Sequence, residues 1–423
     1  MRFSCPSRRL IDESGGAVKS CVDDLAVFGG NPLFAGPKPI GQLDAPDVGD
    51  YLATLKEAYD ARHLTNDGPI LLKLEQKLRR LHGTRHCIAL ANAGLGLTML
   101  MQVFAKGRRG EVIMPAFSYR GLPHFCQWAG QTPRFCDVDR RTHFLDVRAV
   151  EAAVSAVTTS ILAVCNFNNP GDIEGVCAVG RRHGVPVFLD SVYAAGATHG
   201  GRMLGSFAHA EVFSLHATKL LNGFEGGYIT TDDDDLDRLL RWQRNFALPG
   251  SRPPVAGAES VLGLNAKLNE FHAALATLSV DRLDGIIARN RARYEAYCRG
   301  LARIPALSLI PYAEGERANY QMAVVEIRAG WPLSRDETVA LLRAEGAAIS
   351  AYYSPPLHRS EHCPAGVATP ALPVAEELAR NFVQLPVGEL TTVADVDAIC
   401  GLLAFVAENG AGAAKRYAGR GQP

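Results

Sequence analysis

The chain reads as an α/β protein built on a mostly parallel sheet. Short β-like runs alternate with helix-like runs through the middle of the sequence, and Gly, Pro, Asn or Asp punctuates the junctions. At 423 residues the chain also exceeds one small core, which points to a large domain followed by a smaller one. In order, Cys87-Ile88-Ala89-Leu90 is strand-like and residues 95–104 look helical. Glu111-Val112-Ile113-Met114 is a strand ended by Pro115, residues 133–138 are another, and residues 150–157 carry helical spacing. Residues 161–165 and 185–189 are strands flanking a helix over 174–183. In such a sheet ligands gather at the carboxyl ends of strands. Gly94, Pro115, Asn166, Asp190 and Ser214 all fall at or just beyond such ends. A long helical pattern over 278–299 contains the boundary to the smaller domain, where residues 321–327 and 333–345 suggest a strand and a helix. Ser334-Arg335-Asp336-Glu337 has the pattern of a capped helix start. The expected organisation is a loose extension over 1–26, a large domain with an N-terminal arm over 27–285, a small domain over 286–408 and a frayed Gly/Ala-rich tail over 409–423.

Composition narrows the class. A hydrophobic share of 47% with 21% charged residues is ordinary for a globular enzyme. Lys+Arg and Asp+Glu both number 44, so no net positive charge points to nucleic acid. The ten cysteines are scattered without Cys-x-x-Cys spacing, and Cys136, Cys165 and Cys177 sit in apolar runs. That suits reduced, buried thiols in a cytoplasmic protein rather than a disulfide framework or a zinc site. No apolar run approaches the ~20 residues of a membrane helix.

The chemistry is concentrated in Phe213-Ser214-Leu215-His216-Ala217-Thr218-Lys219. An apolar run ends on a hydroxyl, and a lysine follows five residues later, ahead of Glu225-Gly226-Gly227. A lysine amine can form an imine with an aldehyde cofactor while Ser214 reaches the cofactor's phosphate, which makes pyridoxal phosphate (PLP) the candidate. Taken alone, Lys219 reads better as an exposed loop cation. Asp190 ends the apolar run Val185-Pro186-Val187-Phe188-Leu189, where a carboxylate needs a partner. A pyridinium nitrogen would serve, as would a simple helix-capping role. Ala91-Asn92-Ala93-Gly94 joins a strand to a helix, and its small residues let backbone amides approach an anion or let helix and sheet pack closely. Tyr119, in Pro115-Ala116-Phe117-Ser118-Tyr119, can stack on a flat ring or belong to the core.

In their order, these motifs resemble the DegT/DnrJ/EryC1/StrS family of PLP-dependent sugar aminotransferases, with the fold type I of aspartate aminotransferase. The resemblance spans about 26–406. It is also carried by Leu64-Thr65-Asn66-Asp67-Gly68-Pro69, Asn168-Asn169-Pro170, Gly263-Leu264-Asn265-Ala266-Lys267 and Tyr353-Ser354-Pro355-Pro356-Leu357-His358. It implies that Lys219 is the imine-forming lysine and Asp190 the pyridinium partner. Tyr119 would be the stacking ring, and Ser214, Ala93 and Gly94 the phosphate cup. Asn265 would be an asparagine reaching the phosphate of a neighbouring subunit, which implies a homodimer, and His358 would border the substrate pocket. Three positions depart from the family pattern. Tyr193 stands where Gln or His is usual near the cofactor's 3-hydroxyl. Gly94 replaces a Thr or Ser, a lost hydrogen bond worth about 1.5–3 kcal/mol. Ala351 stands near a common arginine.

The reaction this implies is transamination from an amino acid, glutamate above all, to a nucleotide-linked 4-keto-6-deoxysugar in secondary-metabolite or glycan synthesis. Lys219 would shuttle the proton, with ping-pong kinetics. Tyr193 and Gly94 leave room for a cyclitol or non-sugar ketone, or for other PLP carbanion chemistry. A binding subunit that keeps the fold is a third reading. The expected partners are small molecules and a second copy of the chain, with no nucleic acid, membrane or metal.

Overall fold

The computed structural model describes residues 19–166, 170–248, 255 and 258–418. Its elements in chain order are helices α1 (Val48–Ala61) and α2 (Pro69–His82), strand β1 (His86–Leu90), α3 (Ala93–Ala105), β2 (Glu111–Pro115), α4 (Leu122–Trp128), β3 (Thr132–Cys136), α5 (Val147–Ala153), β4 (Thr158–Val164), α6 (Ile173–His183) and β5 (Val187–Asp190). A short hairpin of β6 (Thr198–His199) and β7 (Arg202–Met203) precedes β8 (Ala210–Ser214), β9 (Gly227–Thr231) and α7 (Asp234–Gln243). The C-terminal part holds α8 (Glu270–Leu301), β10 (Leu307–Leu309), β11 (Ala323–Ile327), α9 (Arg335–Ala344), β12 (Ser350–Ala351), α10 (Pro373–Asn381), β13 (Phe382–Leu385) and α11 (Val393–Ala418).

β4 and β5 are buried at every residue, as strands covered on both faces must be. Seven strands form the main sheet in the order β1-β9-β8-β5-β4-β2-β3. β9 runs antiparallel to both its neighbours and the other strands run parallel. The mostly parallel α/β sheet expected from the alternation is therefore present. Successive side chains serve opposite cores. Val112, Met114, Phe188 and Val212 pack with α3 and α7, whereas Ile113, Ile161, Leu189 and Phe213 pack with α2, α6 and α8. The parallel direction brings the carboxyl ends of β1, β2, β4, β5 and β8 to one edge, where the candidate residues lie.

α8 is 32 residues long, about 48 Å at 1.5 Å per residue. Its first half packs on the main sheet through Ala273 and Leu283, and its second half packs through Ala296, Tyr297 and Leu301 on an antiparallel sheet ordered β10-β11-β13-β12. Ser334 and Glu337 form a reciprocal capping box at α9, as the sequence pattern predicts.

Two terminal segments differ from expectation. Leu25, Phe28 and Phe34 are buried in the C-terminal core, not beside the main sheet. Glu345 fixes them there by accepting from the amides of Ala26 and Leu33, both at 2.8 Å, and from Lys19 Nζ at 2.8 Å. At the other end, α11 runs through the Gly/Ala-rich stretch to Ala418 instead of fraying at Gly410. The small residues there serve close packing. A Cβ on Gly410 would lie 2.0 Å from Pro332 Cγ, and Ala413 is buried. α11 is also long and apolar enough to cross a membrane by composition, but Val396, Ile399, Leu403 and Val406 bury one face of it in this core. The nine cysteines among the described residues are unpaired, and burial pushes the Cys136 thiol up to about 12 and the Cys177 thiol up to about 11.

Candidate active site

β5 delivers Asp190 to the sheet edge at 3% exposure. Its Oδ1 accepts the Val192 amide at 3.3 Å. Burial pushes its carboxyl up to about 6, against smaller downward pulls from that amide and from the Lys219 ammonium. The acid and the amine thus feel each other, and Tyr193 lies against the amine. It lies three residues after Asp190, and Lys219 Nζ sits 3.6 Å from its ring centroid, a cation–π contact.

The loop carrying Lys219 is shaped by its own backbone. After β8 ends at Ser214, Leu215 donates to Gly226 O (2.9 Å), Ala217 to Phe224 O (2.9 Å) and Gly223 to Leu215 O (2.8 Å). The N-terminal arm crosses this loop, with Gln42 and Leu43 donating to the carbonyls of Thr218 (3.1 Å) and Ala217 (3.2 Å).

The candidate anion cup forms where β1 turns into α3. Asn92 caps α3 by accepting from Leu95 N at 2.8 Å. Ala93 and Gly94 occupy the first turn, where amides have no carbonyl one turn back to bind. Gly227 pairs with Ser214, and a Cβ on Gly227 would lie 2.5 Å from Ala93 N. A glycine here therefore lets the Ser214 strand end and the α3 amides face one another. Gly94 has its own reason for lacking a side chain, since a Cβ there would lie 2.7 Å from Phe125 Cζ. Phe125 in turn lies beneath Tyr119, with ring centroids 6.4 Å apart and 30° between planes.

A cavity of about 190 Å³ opens beside this cluster, lined among others by Tyr119, Arg120, Tyr193, Tyr353 and His362. Ser118 also lines it, and its buried Oγ has no partner among the described residues. Tyr352 and Tyr353 stack tilted at 4.0 Å, and burial pushes both phenols well above their ordinary range. At the cavity rim α4 meets the segment after β12 through His124 Nε2 and His362 Nδ1, 2.9 Å apart.

Lys219, Asp190, Tyr193 and Tyr119 are thus brought to one place, with Ser214, Ala93 and Gly94 at the candidate cup. Ala351 lines the cavity without a charge, and Arg120, also on the lining, supplies one. Asn265 is exposed, and its Oδ1 accepts from Lys267 Nζ at 2.6 Å. His358 is not at the cavity. It is 2% exposed and bound through Nε2 to Glu376 Oε1 at 3.0 Å. Asn168 and Asn169 lie outside the described residues. Arg120, Phe125 and the His124–His362 pair were not singled out from the sequence. The one signal for Arg120 was its place directly after the aromatic that follows β2.

The residues present fit PLP: a buried carboxylate at a strand end, a lysine whose charge it feels, and first-turn amides with no side chain in the way. Comparison with known proteins agrees. The profile of the DegT/DnrJ/EryC1/StrS aminotransferase family matches residues 47–404. An Escherichia coli dTDP-4-amino-4,6-dideoxy-D-glucose transaminase is 26% identical over 356 residues, covering 82% of this chain and 93% of that one. The crystal structure of DesI with its TDP-sugar product is similar at a TM-score of 0.87 and 34% identity, covering 94% of this chain and 100% of that one. S. venezuelae DesV, solved with a ketimine intermediate, is similar at a TM-score of 0.75 and 25% identity, covering 89% and 98%. With a PLP-type site at the sheet edge and the profile spanning most of its length, the chain belongs to the DegT/DnrJ/EryC1/StrS family of PLP-dependent aminotransferases.

Proposed function

We propose that this aminotransferase moves the amino group of L-glutamate onto a nucleotide-linked 4-keto-6-deoxysugar, as a cytoplasmic homodimer. The acceptor class is supported by the TDP-sugar product of DesI and by the dTDP-sugar named for the E. coli relative. The observation that carries the reading is the buried Asp190 within electrostatic reach of Lys219, whose amine lies on the Tyr193 ring.

When bound, PLP supplies a carbonyl carbon that exchanges amino groups and a ring that takes up the electron pair of a broken C–H bond. Asp190 would hold the proton on the ring nitrogen. Its burial makes an unpaired charge costly, so a cation placed against it is favoured. Lys219 would anchor the cofactor and then act as base and acid toward the donor's α-carbon, its amine steered by the Tyr193 face. Ser214 with the Ala93 and Gly94 amides would take the phosphate, and the exposed Tyr119 would cover the ring. Asn265 would complete the cup of the partner subunit. Val48, Leu52, Leu64 and Leu262 are exposed apolar side chains consistent with such a partner. Arg120, the one guanidinium on the cavity lining among the described residues, would receive a carboxylate of the donor.

The expected behaviour is a coloured protein that turns glutamate into 2-oxoglutarate and loses its colour in doing so. Lys219→Ala should abolish turnover. Arg120→Ala should weaken glutamate saturation roughly tenfold or more while sparing the acceptor. A colourless protein, or one fully active without the Lys219 amine, would falsify the assignment. Cofactor turnover without 2-oxoglutarate would instead select a different PLP chemistry. Mass spectrometry of products from keto sugars and cyclitol ketones identifies the acceptor.

A further inference from the structure

We propose that a second, arginine-lined cleft binds a diphosphate-bearing anion. It lies between the turn after β3 and the C-terminal sheet, with a volume of about 770 Å³, within the range of small-ligand sites. Five guanidinium groups line it, those of Arg140, Arg141, Arg328, Arg335 and Arg380, with Glu326 as the carboxylate of the lining and Asp139, Asp336 and Glu377 beside it. Glu326 orients two of them, accepting from Arg140 and Arg328 at 3.0 Å each. Arg140 also meets Glu377 at 2.9 Å, and Arg335 meets Asp336 at 2.5 Å. Arg141 and Arg380 are exposed and form no salt bridge among the described residues. The nearby Asp139 carboxylate is occupied by the backbone amides of Arg141 (3.1 Å) and Thr142 (2.8 Å). Arg380 therefore remains uncommitted and Arg141 answers only the hydrogen-bonded Asp139, beside three that are already positioned. Arginines are suited to such an anion because the planar fork binds phosphate oxygens two at a time.

The cleft adjoins the catalytic cavity through one residue. Arg335 donates to Ala379 O at 2.8 Å and to Ser354 Oγ at 3.2 Å, and Ser354 lines the cavity next to Tyr353. An anion drawing on Arg335 would compete for that hydrogen bond and so reach the tyrosine wall of the active site. The diphosphate could be that of a nucleotide or a free oligophosphate.

The test is titration calorimetry of inorganic pyrophosphate into the cofactor-loaded protein at physiological salt. It is repeated with the Arg141→Ala/Arg380→Ala double variant, whose changes lie on the surface and away from the catalytic residues. One saturable site per chain is expected, weakened roughly tenfold or more in the variant, while the variant's cofactor absorbance and reaction with glutamate stay unchanged. Displacement of pyrophosphate by thymidine diphosphate would assign the cleft to a nucleotide, and failure to displace it would assign the cleft to a free oligophosphate. No saturable binding, or equal affinity in the double variant, overturns the proposal and leaves the aminotransferase reading untouched.

Discussion

Asp190 shows function and stability pulling apart at one residue. In the cofactor-free protein its carboxyl is pushed up to about 6 from an ordinary value of 3.8. The folded state then holds a proton more tightly than the unfolded state, so stability falls as pH rises from about 4 to 6. The penalty is complete above 6 and amounts to about 3 kcal/mol. Asp190→Asn should therefore raise the thermal midpoint of the cofactor-free protein at pH 7.5 while cutting turnover by orders of magnitude. Calorimetry of both proteins checks this, and a lower midpoint in the variant would show that Asp190 is stabilising without cofactor. A second prediction concerns Gly94. Gly94→Thr should not restore the hydroxyl common in relatives. The new side chain meets Phe125 and should cost about 1–3 kcal/mol, recovered in part by adding Phe125→Leu. Denaturant unfolding of the three variants decides it. The sequence made Lys219, Asp190 and Ser214 legible because each ends or follows a strand, where backbone direction alone fixes the neighbourhood. It could not explain Gly94, whose reason is a phenylalanine 31 positions away, nor reveal that His358 turns inward to Glu376.

Elements were legible in proportion to their periodicity. Strands with continuous apolar runs and the capping box of α9 follow from composition that acts locally. The tail of α11 did not, because small residues lower helix confidence in isolation yet are what a close crossing requires. This gives opposite predictions within one helix. At exposed Gly401 nothing lies within 4 Å of an added Cβ, so Gly401→Ala should stabilise by about 0.5–1 kcal/mol. At Gly410 the same propensity gain is outweighed by overlap with Pro332, and Gly410→Ala should destabilise by about 1–3 kcal/mol. Equal effects in urea melts would mean that α11 does not pack against Pro332.

For the whole molecule, acid stability should be set by two buried histidines. Burial pushes His82 and His143 down to about 4 from an ordinary 6.5. The unfolded chain then binds protons that the folded state refuses, so stability is full above pH 6.5 and falls as pH drops toward 4. By pH 5 the two together remove about 4 kcal/mol. The measurement belongs on cofactor-loaded protein, where the opposing pH dependence of Asp190 is neutralised. A urea midpoint flat between pH 7 and 5 would contradict it. The N-terminal segment carries a practical consequence at the same scale. The family profile begins at residue 47 and ends at 404, yet Leu25, Phe28 and Phe34 fill the C-terminal core and Arg416 reaches back to Asp23. A protein trimmed to the shared span would lose the plug of its C-terminal core, and the greasy socket would be left open to solvent and to aggregation.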